Sequence, residues 1–109
     1  MRWGRLHPEL HSIMLFLGAL AGGPRWAILR ILSEGEKTTS EIYESLVSRY
    51  GLMIPRSLLY YHLDSLENMG IIELVGYRET GKGGAPEKIW RLKIRRVIID
   101  IPSGQITTE

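Results

Sequence analysis

The sequence predicts a small α+β domain that is mainly helical, and three observations lead to this fold class. The chain has 109 residues, of which 44% are hydrophobic, and this is enough for one domain with a core of its own. Apolar residues recur at helical spacing through most of residues 10–69. Two short segments of β-type composition follow, and a glycine-rich loop separates them.

The N-terminal part predicts two helices with a tight break between them. The first covers residues 10–20 and the second residues 25–33. Two glycines precede Pro24, and a proline is well suited to the first turn of a helix. The spacing of the apolar residues in the second helix directs Arg25 and Arg30 outward, toward solvent.

The first helix has apolar side chains on more than one side, which is more than a small domain can cover alone. We therefore expect it to pair with its copy in a homodimer. The residues expected at this interface are Leu10, Ile13, Met14, Phe16 and Leu17.

The start of the chain also resembles an export signal, because basic residues precede an apolar run. That run, residues 13–21, has nine residues, against the roughly 20 that a membrane-spanning helix needs. Pro8 and Glu9 interrupt the approach to it. A buried or dimer-forming helix is therefore favoured, with a cytoplasmic location and no membrane association.

A helix–turn–helix is predicted next. Thr38 and Glu41 have the spacing of a capping box, which opens a helix that Gly51 closes. Pro55 disfavours helical backbone in the residue before it, so a second helix over residues 55–69 is favoured over one long helix. The apolar stripe of this second helix consists of Leu59, Leu63 and Leu66. Its opposite face carries Arg56, Ser57, Tyr60, Tyr61 and Asp64.

The glycine-rich loop and its flanking strands predict a β wing. Gly70 ends the helix, and strands are expected over residues 71–77 and 87–92. The loop between them, RETGKGGAP, covers residues 78–86 and is expected to be flexible. Helices followed by such a hairpin have the order of a winged helix–turn–helix: a helical bundle with a two- or three-stranded β wing.

The C-terminal part is expected to contain one further strand and a loose end. Residues 93–101 are rich in β-branched side chains, which favours a strand, and residues 102–109 are expected to form a tail. The chain then divides into an N-terminal helix (1–23), a winged helix–turn–helix (24–92) and the C-terminal strand and tail (93–109).

Residues 55–73, PRSLLYYHLDSLENMGIIE, resemble the winged helix–turn–helix transcription regulators of the ArsR and PadR type. These families share a recognition helix with hydroxyl and aromatic residues, followed by Leu-x-x-Leu-Glu-x-x-Gly-Ile-Ile. The resemblance extends over about residues 24–92, and the long turn between the two helices is closer to the PadR pattern. It implies sequence-specific binding of double-stranded DNA in the control of transcription.

The resemblance also implies where the DNA lies. The recognition helix, residues 55–69, would enter the major groove, and the wing, residues 78–88, would lie on the backbone or in the minor groove. We favour this over a surface helix whose tyrosines only pack against neighbours. The residues expected to contact DNA are Arg56, Ser57, Tyr60, Tyr61, Arg78, Lys82 and Lys88.

Charge along the chain leaves a second interpretation open. Residues 34–73 contain three basic and seven acidic residues, a net −4, whereas residues 78–96 contain seven basic and two acidic residues, a net +5. A basic wing suits contact with phosphate, although an inert solvated hairpin has the same composition. The acidic helix–turn–helix favours the alternative, a winged helix that binds another protein within a transcription or repair assembly.

Other chemistry has little support in the sequence. These residues include no cysteine, which excludes disulfides and thiolate metal sites, and no motif predicts an enzyme or a cofactor. His7 and His11 alone make a weak metal site, and His62 is expected to be a packed or capping residue. Three tryptophans suit a core, an interface or a pocket for an apolar effector: Trp3, Trp26 and Trp90.

Overall fold

The computed structural model describes residues 8–79 and 83–109. Within them the chain forms four helices and five strands. These are α1 (Pro8–Ala21), α2 (Arg25–Leu32), β1 (Lys37–Thr38), α3 (Thr39–Tyr50), α4 (Arg56–Asn68), β2 (Ile72–Arg78), β3 (Glu87–Leu92), β4 (Val97–Asp100) and β5 (Gln105–Thr108). The predicted fold class is confirmed: the chain is a winged helix–turn–helix with a mainly helical bundle and a small antiparallel sheet.

Local chemistry fixes both ends of α3. The Thr38 hydroxyl accepts the backbone N–H of Glu41 at 3.1 Å, and the Glu41 carboxylate accepts the backbone N–H of Thr38 at 2.8 Å. This is the predicted capping box. Gly51 ends the helix with φ +65°, a left-handed conformation that glycine adopts without steric cost. The turn to α4 then runs over residues 51–55.

The sheet that forms the wing has three strands in the order β1-β3-β2. β2 and β3 are antiparallel, with Ile72 opposite Leu92 and a register shift between Leu74 and Gly76. The two-residue strand β1 pairs with β3 on its other side, placing Thr38 opposite Ile89. The sequence did not predict β1, since its two residues have no periodicity of their own.

The C-terminal residues differ from the expected loose tail. β4 and β5 form an antiparallel hairpin, with Ile99 opposite Ile106, that is separate from the wing sheet. The turn is closed by Gly104 at φ +72° and by the Asp100 carboxylate, which accepts the backbone N–H of Ser103 at 3.1 Å. The tail prediction was wrong because a turn of this kind lets a short polar segment fold back on a hydrophobic strand.

One core lies between the helices and the wing. It joins the inner faces of α2, α3 and α4 to the start of β2 and to Trp90 of β3. The side chains with no exposed surface include Ile28, Ile31, Ile42, Leu46, Leu59, Leu63, Leu66 and Trp90. The Trp90 indole N–H donates to the Thr39 hydroxyl at 3.0 Å, so its polar atom is satisfied inside the core.

The N-terminal helices depart from the prediction at Arg25. This residue was expected to face solvent, but only 8% of its surface is exposed. Its Nε donates to Nδ1 of His62 at 2.9 Å, and its Nη1 donates to the carbonyl of Ala19 at 3.0 Å. Helical spacing alone could not reveal this, because the partner that buries Arg25 belongs to α4.

No helix of the described residues is by itself long and apolar enough to cross a bilayer. α1 and α2 reach the required length and composition only together, and they are bent by 72° at the break between them.

Candidate nucleic-acid interface

The polar face of α4 is open to solvent in this chain. Tyr60 and Tyr61 are 44% and 61% exposed, and Arg56 and Ser57 at the start of the helix are also exposed. The opposite stripe of α4, which contains Leu59, Leu63 and Leu66, is fully buried. The apolar side of α4 therefore packs in the core, and the predicted contact residues on its other side are accessible from solvent.

Arg56 is held in place at the start of α4. Its guanidinium lies over the ring of Tyr43 of α3, 4.7 Å from the ring centroid, and its Nη1 is 3.4 Å from the Ser40 hydroxyl. The Ser40 hydroxyl donates to the Glu87 carboxylate of β3, which also accepts the Ser40 backbone N–H at 3.2 Å. Arg56 thus belongs to a contact series that joins α4 to α3 and to the base of the wing.

Two residues in this series, Ser40 and Tyr43, were not among the predicted site residues. Both lie on α3, within the first two turns after the cap. Both are half-buried, and the sequence offers no signal for them beyond their place on the helix that precedes α4. They restrict the motion of Arg56, which lowers the conformational entropy that Arg56 loses when it binds a partner.

The described wing residues have partners within the chain. Nη1 of Arg78 is 3.3 Å from the Glu41 carboxylate, so part of its positive charge is balanced. Nζ of Lys88 is 5.7 Å from the centroid of the Trp90 ring. Lys82, the third predicted wing contact, lies outside the described residues.

The carboxylate of Glu41 stays ionised because of its neighbours. The pKa of Glu41 is lowered from its ordinary value, chiefly because the carboxylate accepts the backbone N–H of Thr38. The Thr38 hydroxyl and the charge of Arg78 lower this pKa further, against the opposing effect of partial burial. Glu41 therefore both completes the capping box of α3 and balances the charge of Arg78, the first residue of the wing.

His62 is buried, as predicted, and connects α4 to the N-terminal helices. The pKa of its imidazole is lowered, first by burial and then by the positive charge of Arg25. A neutral ring leaves Nδ1 free to accept the Arg25 Nε–H. The guanidinium of Arg25 is also 5.8 Å from the ring centroid of Tyr61. One buried arginine therefore contacts α1, α4 and an exposed aromatic residue of the polar face.

Many of the acidic side chains in residues 34–73, the helix–turn–helix segment with seven acidic and three basic residues, are paired with basic side chains. Four of its seven acidic residues have a basic side chain within 4.0 Å. The carboxylates and their partners are Glu34 with Arg49 and Lys37, Glu36 with Arg91, Glu41 with Arg78, and Glu73 with Arg91.

The predicted dimer residues on α1 divide between two faces. Met14 and Leu17 are nearly half exposed and point away from the domain, with Leu15 beside them. Phe16 packs against the core of its own chain, and Ile13 is half-buried. The side chain of Leu10 lies outside the described part. The outward apolar face of α1 is therefore made by Met14, Leu15 and Leu17.

Among the described residues, no group of three or more His, Cys, Asp or Glu side chains could hold a metal ion. His7, one of the weak candidate pair, falls outside them. Of the tryptophans, Trp90 is a core residue, whereas Trp26 is 60% exposed; Trp3 is not in the described part.

Comparison with known proteins agrees with this geometry. Residues 24–73 match the model of the bacterial regulatory protein, arsR family. The match runs from the residue before α2 into β2 and so contains the whole helix–turn–helix. The PadR part of the resemblance has no such match and stays a prediction. No curated protein matches the chain significantly.

Solved structures share the fold over most of the chain. Diamide-treated YodB from B. subtilis has a TM-score of 0.59 and 25% identity, and the alignment covers 80% of this chain and 74% of YodB. The reduced form of the transcriptional regulator YodB has a TM-score of 0.53 and 28% identity, covering 81% and 74%. The ferric uptake regulator from Pseudomonas aeruginosa with manganese is similar in fold alone, with a TM-score of 0.55, 16% identity and coverage of 91% and 73%. The chain is a winged helix–turn–helix protein whose residues 24–73 match the arsR regulatory family.

Proposed function

We propose that this protein is a transcription regulator that binds double-stranded DNA at specific sequences. In this proposal α4 enters the major groove and the wing, residues 78–88, follows the backbone or the minor groove. The observation that carries it is the bare polar face of α4, with Arg56 held at its N-terminal end. The arsR-family match and the likeness to the transcriptional regulator YodB support the same conclusion.

The chemistry of that face suits a duplex. An arginine can form two parallel hydrogen bonds with guanine, and tyrosines can contact thymine methyl groups or phosphates. The start of a helix also favours negative charge, because its first N–H groups have no partner within the helix. Arg56 and Ser57 lie at this end of α4, where a phosphate of the DNA backbone would be stabilised.

A homodimer completes the proposal. Two copies related by a two-fold axis would present two α4 helices to half-sites about 34 Å apart, one turn of the duplex. The outward face of α1, with Met14, Leu15 and Leu17, is an apolar surface that is exposed to solvent in the single chain. Its burial against a second copy would remove these side chains from water, which favours association.

The alternative is a winged helix that binds another protein. The acidic residues of the helix–turn–helix favour it, since negative charge opposes DNA. The ion pairs of Glu34, Glu36, Glu41 and Glu73 weaken this objection, because each places a basic side chain beside one of these carboxylates. DNA binding is therefore the better-supported function.

Selection of bound fragments from random duplex DNA tests the proposal directly. We expect a palindromic consensus, and binding that weakens steeply with salt as counterions are released. Arg56→Ala and Tyr61→Ala should each lower discrimination between this site and random DNA by roughly 1–3 kcal/mol. Arg49→Ala, which removes an equal charge from the far end of α3, is the control and should keep the discrimination.

Two results would contradict the proposal. Failure to enrich any duplex at low salt would favour the protein-binding alternative. If the two α4 variants keep the wild-type sequence preference while a consensus exists, α4 is not the reading helix.

A further inference from the structure

A groove lies on a part of the surface that includes none of the predicted DNA-contact residues. It is open to solvent and has a volume of about 440 Å³, within the roughly 300–1,000 Å³ typical of small-molecule sites. Its walls come from the end of α1, from α2, and from the segment that leaves β3. The apolar side chains lining it include Leu20, Trp26, Leu29, Leu92, Ile94 and Val97.

Three arginines also line the groove. Arg30 of α2 and Arg95 and Arg96 of the segment after β3 all line it. Within the described part of the chain, Arg96 pairs with the Glu109 carboxylate at 3.6 Å, while Arg30 and Arg95 take part in no ion pair. An exposed indole on the same groove as two guanidinium groups outside ion pairs is a complementary surface for a flat apolar molecule with a negative charge.

The neighbouring acidic residues balance this charge only in part, since the charge of Arg30 is the smallest of the causes that shift the pKa of Glu34. Glu34 and Glu36 line the adjoining shallow cleft, which also reaches Arg95. The Glu34 carboxylate is 2.6 Å from Arg49, and the pKa of Glu34 is lowered chiefly by that hydrogen bond. Glu36 lies 3.6 Å from Arg91. Both carboxylates are therefore engaged elsewhere, which leaves Arg95 available to an anion.

The wall that carries Arg95 is fixed by main-chain hydrogen bonds at both ends. The N–H of Lys93 donates to the Ile71 carbonyl at 2.9 Å, and those of Arg95 and Arg96 donate to the Glu109 carbonyl at 2.6 and 3.1 Å. The Glu109 N–H donates in return to the Arg96 carbonyl at 3.0 Å. A wall held in this way presents its guanidinium groups with less loss of entropy on binding than a free loop would.

From these observations we propose that the groove binds a small aromatic carboxylate. The ring lies against Trp26 and the apolar lining, and the carboxylate accepts hydrogen bonds from Arg95 and Arg30. Arginine suits this role because its planar fork matches the two oxygens of a carboxylate. The site is separate from the proposed DNA surface, so the binding of the small molecule can be measured without DNA.

The test is calorimetric titration of the full chain with 2-naphthoate, an aromatic carboxylate of suitable size. We expect one site per chain and a shift of the Trp26 indole N–H signal in NMR spectra. Arg95→Gln and Trp26→Leu should each weaken binding about tenfold, as expected for loss of a charge-assisted hydrogen bond or of an aromatic contact. The neutral analogue 2-naphthalenemethanol should bind about tenfold more weakly to the wild type.

Lys93→Gln is the matched control, because it removes one positive charge from the same segment at an exposed residue outside the groove lining. It should leave the affinity within about twofold, the level of a surface charge that makes no contact. Circular dichroism verifies that each variant folds.

Several outcomes would overturn the proposal. These are the absence of binding to the wild type, equal binding of the neutral analogue, or equal losses for Arg95→Gln and Lys93→Gln. Binding that disappears as the chain self-associates would assign the groove to a second copy instead. None of these results depends on whether the protein binds DNA.

Discussion

The contact between Arg25 and His62 gives the sharpest stability prediction. Both residues are 8% exposed, and Nε of Arg25 donates to Nδ1 of His62 at 2.9 Å. Replacing His62 with leucine keeps a buried side chain of similar size but removes the hydrogen-bond acceptor. The buried Nε–H of Arg25 is then left without an acceptor, while Nη1 keeps its bond to Ala19, and the loss costs about 2 kcal/mol. For a domain of this size the melting temperature should fall by about 8 °C.

His62→Asn separates the hydrogen bond from the packing. The asparagine Oδ1 can occupy roughly the place of Nδ1 and accept from Arg25, whereas the rest of the ring, which lies beside Gly23, is lost. We therefore expect a smaller cost than for leucine, about 1 kcal/mol. Urea and thermal unfolding followed by circular dichroism, at one fixed protein concentration, measure both variants.

The pH dependence gives an independent check. The pKa of His62 in the folded state lies below its ordinary value of 6.5, chiefly because burial disfavours the charged ring. The unfolded chain then binds the proton more readily than the folded one. The contribution of His62 to stability is therefore complete above pH 6.5 and is lost as the pH falls through the lower pKa of the folded state. His62→Leu should lose this acid dependence, whereas His11→Asn, at an exposed position, should keep it.

Equal stability of wild type and His62→Leu at pH 7.5 would refute the reasoning, as would an unchanged acid slope in that variant. The first result would mean that the Arg25 guanidinium finds water or another acceptor at no cost, and the second that groups other than His62 set the acid dependence.

Three further predictions address the cap, the wing and the dimer. Thr38→Ala should lower the free energy of unfolding by about 1 kcal/mol through loss of the capping hydroxyl; urea unfolding within error of wild type would contradict it. Lys88→Ala should weaken all duplexes alike and reduce the salt slope of binding by about one, so an unchanged slope in fluorescence anisotropy titrations would remove Lys88 from the contact surface. Leu17→Glu should convert the proposed dimer to a monomer in analytical ultracentrifugation, whereas Met53→Glu should not. A wild type that is monomeric at every concentration would refute the role of α1.

Features that depend on neighbouring residues could be predicted from the sequence. The capping box of Thr38 and Glu41, the glycine that ends α3 and the helix break at Pro55 are all local backbone chemistry. They placed the boundaries of α3 and α4 within a residue or two. The bare polar face of α4 followed from the same helical spacing that buried its leucines.

Features that depend on distant partners could not be predicted in this way. β1 exists because Lys37 and Thr38 pair with Trp90 and Ile89, some 50 residues away. Arg25 is buried by a histidine 37 residues further along the chain. At the candidate site, Tyr43 and Ser40 are brought to Arg56 by the angle between α3 and α4. A pattern of polar and apolar residues indicates which side of a helix faces inward, but not which polar side chains meet there.

Thr38 takes part in two structures at once, since it belongs to the strand that pairs with β3 and its hydroxyl caps α3. The sheet and the helix–turn–helix therefore share Thr38. A rotation of its backbone or side chain that breaks the cap of α3 would also disturb the pairing of β1 with β3. If the protein binds DNA as proposed, both parts would meet the duplex as one rigid body, and the bending would fall on the nucleic acid. Preferred sites should then include easily kinked pyrimidine–purine steps beside the bases that α4 touches.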